Sequence, residues 1–264
     1  MRRRARPTVQ LRGLIDLGGT GSVGSPSGSS GMFCLQLAAW SNGSDSLHVL
    51  QDGERPTTIE YDVTERSLPR LMKLYKPLGA VYARGRWIAA PDGNRRFHAS
   101  SIRRVAPDPE MQRIAAQLRK PVRQSVPGLG RLTLKRCDNG AYSTRIAWGR
   151  RQVMVDLDVD QTDSLAALLA SVRGIWRRQF LWNKRIRESL LRWAFPAWKN
   201  TWRLEGDPAL SKRAFLSRAS LYQVGFSSGG VSFVVAFPDD LFGGHHVHLM
   251  GSVSIGITEW ELIG

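Results

Sequence analysis

Three features of this sequence predict an α+β fold. Short alternating strands precede residue 106, a helix-spaced apolar series follows residue 164, and alternating strands return towards the end. In the middle, Val153, Val155, Leu157 and Val159 recur at every second position, which sets them on one face of a strand. Leu165, Leu168, Leu169, Val172, Ile175, Trp176 and Phe180 then recur at helical spacing, continued by Ile186, Leu190 and Trp193. The expected architecture is a small β-rich N-terminal domain, then an α+β domain with antiparallel strands and a long amphipathic helical segment.

Taken in order, residues 1–31 read as a disordered basic tail, because arginines are followed by a Gly/Ser-rich stretch with little apolar surface. Residues 32–106 read as the small β-rich domain. Its strands are expected at Phe33–Ala39, Leu47–Leu50, Thr58–Val63, Ala80–Ala83 and Ser101–Val105, with turns at Asp52-Gly53 and Asp92-Gly93-Asn94. Residues 107–127 form a helix and linker, with Met111, Ile114, Ala115 and Leu118 on one helical face. Residues 128–264 form the α+β domain. It opens with a meander turned at Asp138-Asn139-Gly140, and its long helical segment is closed by Pro196. A short helix around Ser211–Arg218 and strands at Leu221–Phe226, Val231–Phe237, His245–Met250 and Ile257–Ile263 follow.

A chain of 264 residues with 42% hydrophobic content has ample material for a core. No apolar run approaches the roughly 18–20 residues of a bilayer span, so no membrane segment is expected. Arg12 and Asp16 interrupt what would be the apolar part of a secretory leader. Cys34 and Cys137 are too few and too far apart for a disulfide framework, which points to a cytoplasmic location. The net charge of +16 suits an acidic protein partner or nucleic acid. The basic residues are overwhelmingly arginine, which GC-rich coding also produces, so charge alone assigns no ligand. Arg177, Arg178, Lys184, Arg185 and Arg192 fall opposite the apolar stripe and form the expected basic surface. Arg84-Gly85-Arg86-Trp87 and Arg95-Arg96-Phe97 interleave cations with aromatics, a composition suited to stacking bases.

Familiar catalytic motifs match only on paper. Gly19-Thr20-Gly21-Ser22-Val23-Gly24 fits a phosphate-cradling pattern, but no helix follows it. Gly225-Phe226-Ser227-Ser228-Gly229 fits a nucleophile elbow, but leads into another strand and reads as a hairpin turn. Asp156, Asp158 and Asp160 share one strand face and read as a solvated face paired with arginines, or as ligands for a hard cation. His246 and His248 share a face at the spacing of a transition-metal chelate. With Asp156 or Asp239 they make up a metal-dependent hydrolase reading, for which no third ligand is fixed. No cofactor motif is found, and no catalytic residue is assigned.

The segment Phe237-Pro238-Asp239-Asp240-Leu241-Phe242-Gly243-Gly244-His245-His246-Val247, closing on Gly256-Ile257 and Leu262-Ile263-Gly264, resembles a bacterial family known as domain of unknown function 2262. Leu129-Gly130-Arg131-Leu132-Thr133-Leu134 and the helix end at Trp198–Trp202 extend the resemblance over roughly residues 128–264. It implies that Asp240, Phe242, Gly244 and His245 are signature positions, and with Asp239 they make up the candidate binding loop. It implies no established activity. The expected functions are therefore, first, a non-catalytic protein-interaction module. Second comes a nucleic-acid-binding protein, and third the metal-dependent hydrolase. Oligomeric state has no sequence signal.

Overall fold

The computed structural model describes residues 8–24, 31–43, 45–51, 54, 57–89, 95–137, 141–159, 164–206, 209–237 and 241–264. The chain divides into two compact units, Met1–Val122 with Lys135–Ala141, and Arg123–Leu134 with Tyr142–Gly264. The turns assigned to Asp52-Gly53, Asp92-Gly93-Asn94 and Asp138-Asn139-Gly140 lie outside the described residues.

In the first unit the strands are β1 (Val9–Gly24), β2 (Gly31–Asn42), β3 (His48–Val49), β4 (Thr57–Val63), β5 (Ala80–Ala89) and β6 (Arg95–Val105). They run in the order β1-β5-β6-β4-β2-β3, and β1 also pairs with β2. The ladder therefore closes on itself through five strands, with β3 added outside. β4 and β6 are parallel, and the other pairs are antiparallel. Helix α1 (Leu68–Leu74) connects β4 to β5. This is the connectivity of an OB-type Greek-key barrel. Closure depends on β1 bending, and its register to β2 shifts at Leu14/Ile15 and again between Ile15 and Thr20. Leu11, Ile15, Phe33, Leu35, Ile59, Val81 and Phe97 fill the interior. A second cluster joins Leu14, Ala39 and Ala80 to Met111 and Ile114 of α2 (Pro109–Leu118). Asp108 caps α2 by accepting from Met111 N at 2.8 Å, and Arg12 holds the same carboxylate at 2.9 Å.

Residues 9–24 correct the expected tail. Glycine and serine lower the apolar content of this stretch, yet Leu11, Leu14 and Ile15 are fully buried, and its backbone pairs with two neighbours. The phosphate-cradling pattern at Gly19–Gly24 is thus part of a strand.

The second unit is built on an eight-stranded sheet ordered β14-β13-β12-β11-β10-β9-β8-β7. Its strands are β7 (Val122–Val126), β8 (Gly130–Arg136), β9 (Tyr142–Trp148), β10 (Arg151–Leu157), β11 (Ser220–Ser227), β12 (Gly230–Ala236), β13 (His246–Ser252) and β14 (Gly256–Ile263). The stretch around 124–128, expected as a linker, contributes β7. β10 and β11 are parallel, joined by the helical excursion α3 (Leu165–Arg177), α4 (Gln179–Ser189), α5 (Phe195–Ala197) and α6 (Lys212–Arg218). The mixed α+β class holds, and one helical segment is long. It does not stop at Pro196. Proline removes an amide donor and crowds the carbonyl four residues back, and the chain responds with wider π turns at Leu190–Ala194 and Trp198–Trp202. Phe195 N donates to Leu190 O, five residues earlier. Among the described residues no helix is long and apolar enough to cross a membrane.

Candidate functional site

Ser164 starts α3 by accepting from Ala167 N at 3.2 Å. Leu168, Leu169, Val172, Ile175 and Trp176 form its buried face, which leaves Arg173 and Arg177, one turn apart, on its flank. Trp176 Nε1 donates to Ala147 O at 2.8 Å, and the Trp176 ring meets Trp148 edge-on at 4.8 Å. Gln179 completes the clamp, with Nε2 donating to Ala147 O at 3.3 Å and Oε1 accepting from Gly149 N at 3.2 Å.

Strand alternation supplies the opposite wall. Leu132 and Leu134 of β8 are buried, so Arg131 points the other way. Arg145 is likewise exposed between Thr144 and Ile146 of β9. The result is a groove of about 510 Å³ lined by Arg131, Arg145, Arg173, Arg177, Gln152 and Gln179, with Leu132, Ile146 and Trp176 among its apolar walls. Among the described residues no carboxylate lines it, and none of the four arginines has a hydrogen-bond or ion-pair partner. Four arginines lining one cleft make its surroundings positive, and guanidinium forks match phosphate and carboxylate oxygens. The chemistry on offer is anion binding. A neighbouring cleft of about 490 Å³ lies between Gln124–Pro127 and the start of α3, and Arg173 lines both.

Of the five basic residues read from the helical pattern, Arg177 alone lines this groove. Arg178 Nε donates to Gly174 O at 3.2 Å, and Lys184 pairs with Glu188 at 3.9 Å. Arg185 covers the Trp182 ring at 4.8 Å, and Arg192 lies over Trp193 at 5.0 Å. Sequence reading missed Arg131, Arg145 and Arg173. Only Arg173, four residues before Arg177, carried a local signal.

The signature loop is built around aromatics. Phe242 is 1% exposed and packs on Phe237 at 5.3 Å and Trp202 at 6.1 Å. Gly243 and Gly244 have φ of 57° and 87°, and a Cβ on Gly243 would also meet the Trp202 ring at 3.1 Å. His245 N donates to Phe242 O at 3.0 Å, and the His245 ring sits edge-on to Trp202 at 5.5 Å. Asp239 and Asp240 lie outside the described residues.

His246 lies against Tyr222 at 6.0 Å, whereas His248 Nδ1 meets Glu261 Oε1 at 2.8 Å, directly across the β13–β14 ladder. Among the described residues no three His, Cys, Asp or Glu side chains come together as a metal-ligand set. Asp156 accepts from Gln223 Nε2, and Asp158 N donates to Phe226 O at 2.8 Å. Asp160 falls outside the described residues. The serine of the elbow-like pattern belongs to the β11–β12 hairpin, with Ser227 opposite Gly230.

The arginine–aromatic segments of the barrel differ from expectation. Trp87 and Phe97 pair across β5 and β6 and meet edge-on at 5.2 Å, with Phe97 fully buried. Trp87 also contacts Trp40 at 5.0 Å and donates to Asn42 Oδ1 at 3.2 Å. Arg84 and Arg86 alternate to the outside, and Arg96 pairs with buried Glu60 at 2.9 Å. Phe97 is thus part of the core and Trp87 is half-buried against it, a consequence of the two-residue strand period.

Among solved structures, the chain is similar to the single-stranded DNA binding protein from Thermus aquaticus, with 14% identity and a TM-score of 0.26, covering 57% of this chain and 72% of that one. It is also similar to the Ifi202 HINa domain in complex with 20bp dsDNA, with 10% identity, TM-score 0.21, and coverage of 60% and 77%. No curated protein matches the chain. The family model described as "Uncharacterized protein conserved in bacteria (DUF2262)" matches residues 127–262. That span takes in every residue of the arginine groove and the signature loop, and the chain belongs to this family.

Proposed function

We propose that this chain is a non-catalytic binding protein whose ligand is nucleic acid, held in the arginine groove of the C-terminal unit. The observation that carries the reading is that Arg131, Arg145, Arg173 and Arg177 line one groove, with no carboxylate among the described residues of its lining. Bringing like charges together opposes folding, and binding a polyanion offsets that cost, because the arginines neutralise its phosphates and release its condensed counterions. The net charge of +16 adds long-range attraction. The OB-type connectivity of the first unit is compatible with the same role, since such barrels serve as oligonucleotide and oligosaccharide binders.

Anisotropy of a labelled oligonucleotide, followed over a salt series, tests this reading. Affinity should fall steeply with salt, by roughly 0.7–0.9 logarithmic units per contacted phosphate for each tenfold rise. Absence of binding at low salt, or a flat salt response, overturns it. An acidic polypeptide of matched charge that binds more tightly than the oligonucleotide would point instead to an acidic protein partner.

A further inference from the structure

Phe180 is 87% exposed, the most exposed large apolar side chain among the described residues. It directly follows Gln179 and stands three residues beyond Arg177, and both of those line the groove. The α3–α4 junction is a turn at Arg178, whose φ of −114° and ψ of 30° leave the helical path. Arg178 N donates to Ile175 O at 2.9 Å, and Trp182 N to Arg178 O at 3.1 Å. Phe180 is therefore the solvent-exposed residue next in the chain to Gln179, at the end of the groove's lining. A phenylalanine held in water forgoes the stabilisation that burial of its ring would give. Helix α4 buries Trp182 and Ile186 instead, which turns Phe180 outwards.

We infer that the groove takes single-stranded nucleic acid, with Phe180 stacking on an unpaired base while Arg173 and Arg177 hold the adjoining phosphates. This rests on the nucleic-acid reading above and deepens it. A cationic track flanked by an exposed aromatic ring is the composition of single-strand binding sites, because every base offers a π face. A duplex keeps those faces stacked and inaccessible, so it uses the arginines and leaves the ring in water. The track also has length. Arg173 is shared with the neighbouring cleft, whose lining includes Leu165, Leu169 and Pro127, and this gives apolar surface for a further sugar or base.

The test compares oligothymidine of about a dozen nucleotides with a duplex of similar length, using the full chain at low salt. The single strand should bind more tightly. Phe180→Ala should weaken its binding roughly tenfold and leave duplex binding nearly unchanged, while Phe180→Trp should restore single-strand affinity. Because the ring is exposed, the alanine variant should keep the wild-type unfolding midpoint. If Phe180→Ala binds oligothymidine as the wild type does, or if duplex binds equally well, the single-strand assignment falls and the nucleic-acid reading stands. If neither probe binds, both fall.

Discussion

Trp176 donates its indole N–H to the carbonyl oxygen of Ala147 at 2.8 Å, tying α3 to β9 at the point where the groove forms. The bond fixes the helix in rotation and so determines where Arg173 and Arg177 project. Trp176→Phe keeps most of the apolar packing and removes the donor. It should cost about 1 kcal/mol, read as a lowered urea midpoint with an unchanged slope. An unchanged midpoint would mean that Gln179 alone suffices as the clamp.

Removing groove charge should separate binding from folding. Arg145→Gln and Arg173→Gln should each weaken oligonucleotide binding across all sequences and lower the salt slope by about 1. Neither arginine has a partner among the described residues, so unfolding midpoints should hold or rise. A destabilised variant would show that these arginines are structural.

In the barrel, Gly85 occupies the register shift between β5 and β6, and a Cβ there would overlap the carbonyl oxygen of His98. Gly85→Ala should therefore destabilise the first unit by about 1–3 kcal/mol, measurable by thermal unfolding.

Asp108 serves α2 twice, as its cap and as the partner of Arg12. Asp108→Ala should cost about 1 kcal/mol, mostly from the lost cap, since the ion pair is partly solvated. Asp108→Asn keeps the cap and should recover most of that stability in a denaturant titration.

Burial raises the Cys34 thiol above its ordinary pKa, the Glu60 carboxylate raises it further, and Arg96 partly opposes them. The thiolate is the reactive form, so alkylation of Cys34 in a Cys137→Ser background should be slow at neutral pH and rise only in more alkaline solution than for a free cysteine. An inflection at or below that of free cysteine would contradict this environment.

Periodicity made much of the fold legible. The alternation of Val153, Val155 and Leu157 announced β10, and the stripe from Leu168 to Trp176 announced α3. Strand β1 stayed hidden because its glycines and serines contribute backbone hydrogen bonds more than buried area. The helical run past Pro196 was hidden too, since π turns absorb a missing donor in a way no propensity anticipates. The groove was least legible. Its arginines come from β8, β9 and α3, and they meet only through tertiary packing. The visible pairing of cations with Trp87 and Phe97 misled, because alternation sends neighbouring residues to opposite faces.

The most direct measurement is photocrosslinking of a bromouracil-substituted single strand to the full chain, with the linked peptides identified by mass spectrometry. The account predicts adducts within the α3–α4 junction, at Trp176 or Phe180. Adducts confined to β5 and β6 of the barrel would contradict it and move the binding surface to the first unit.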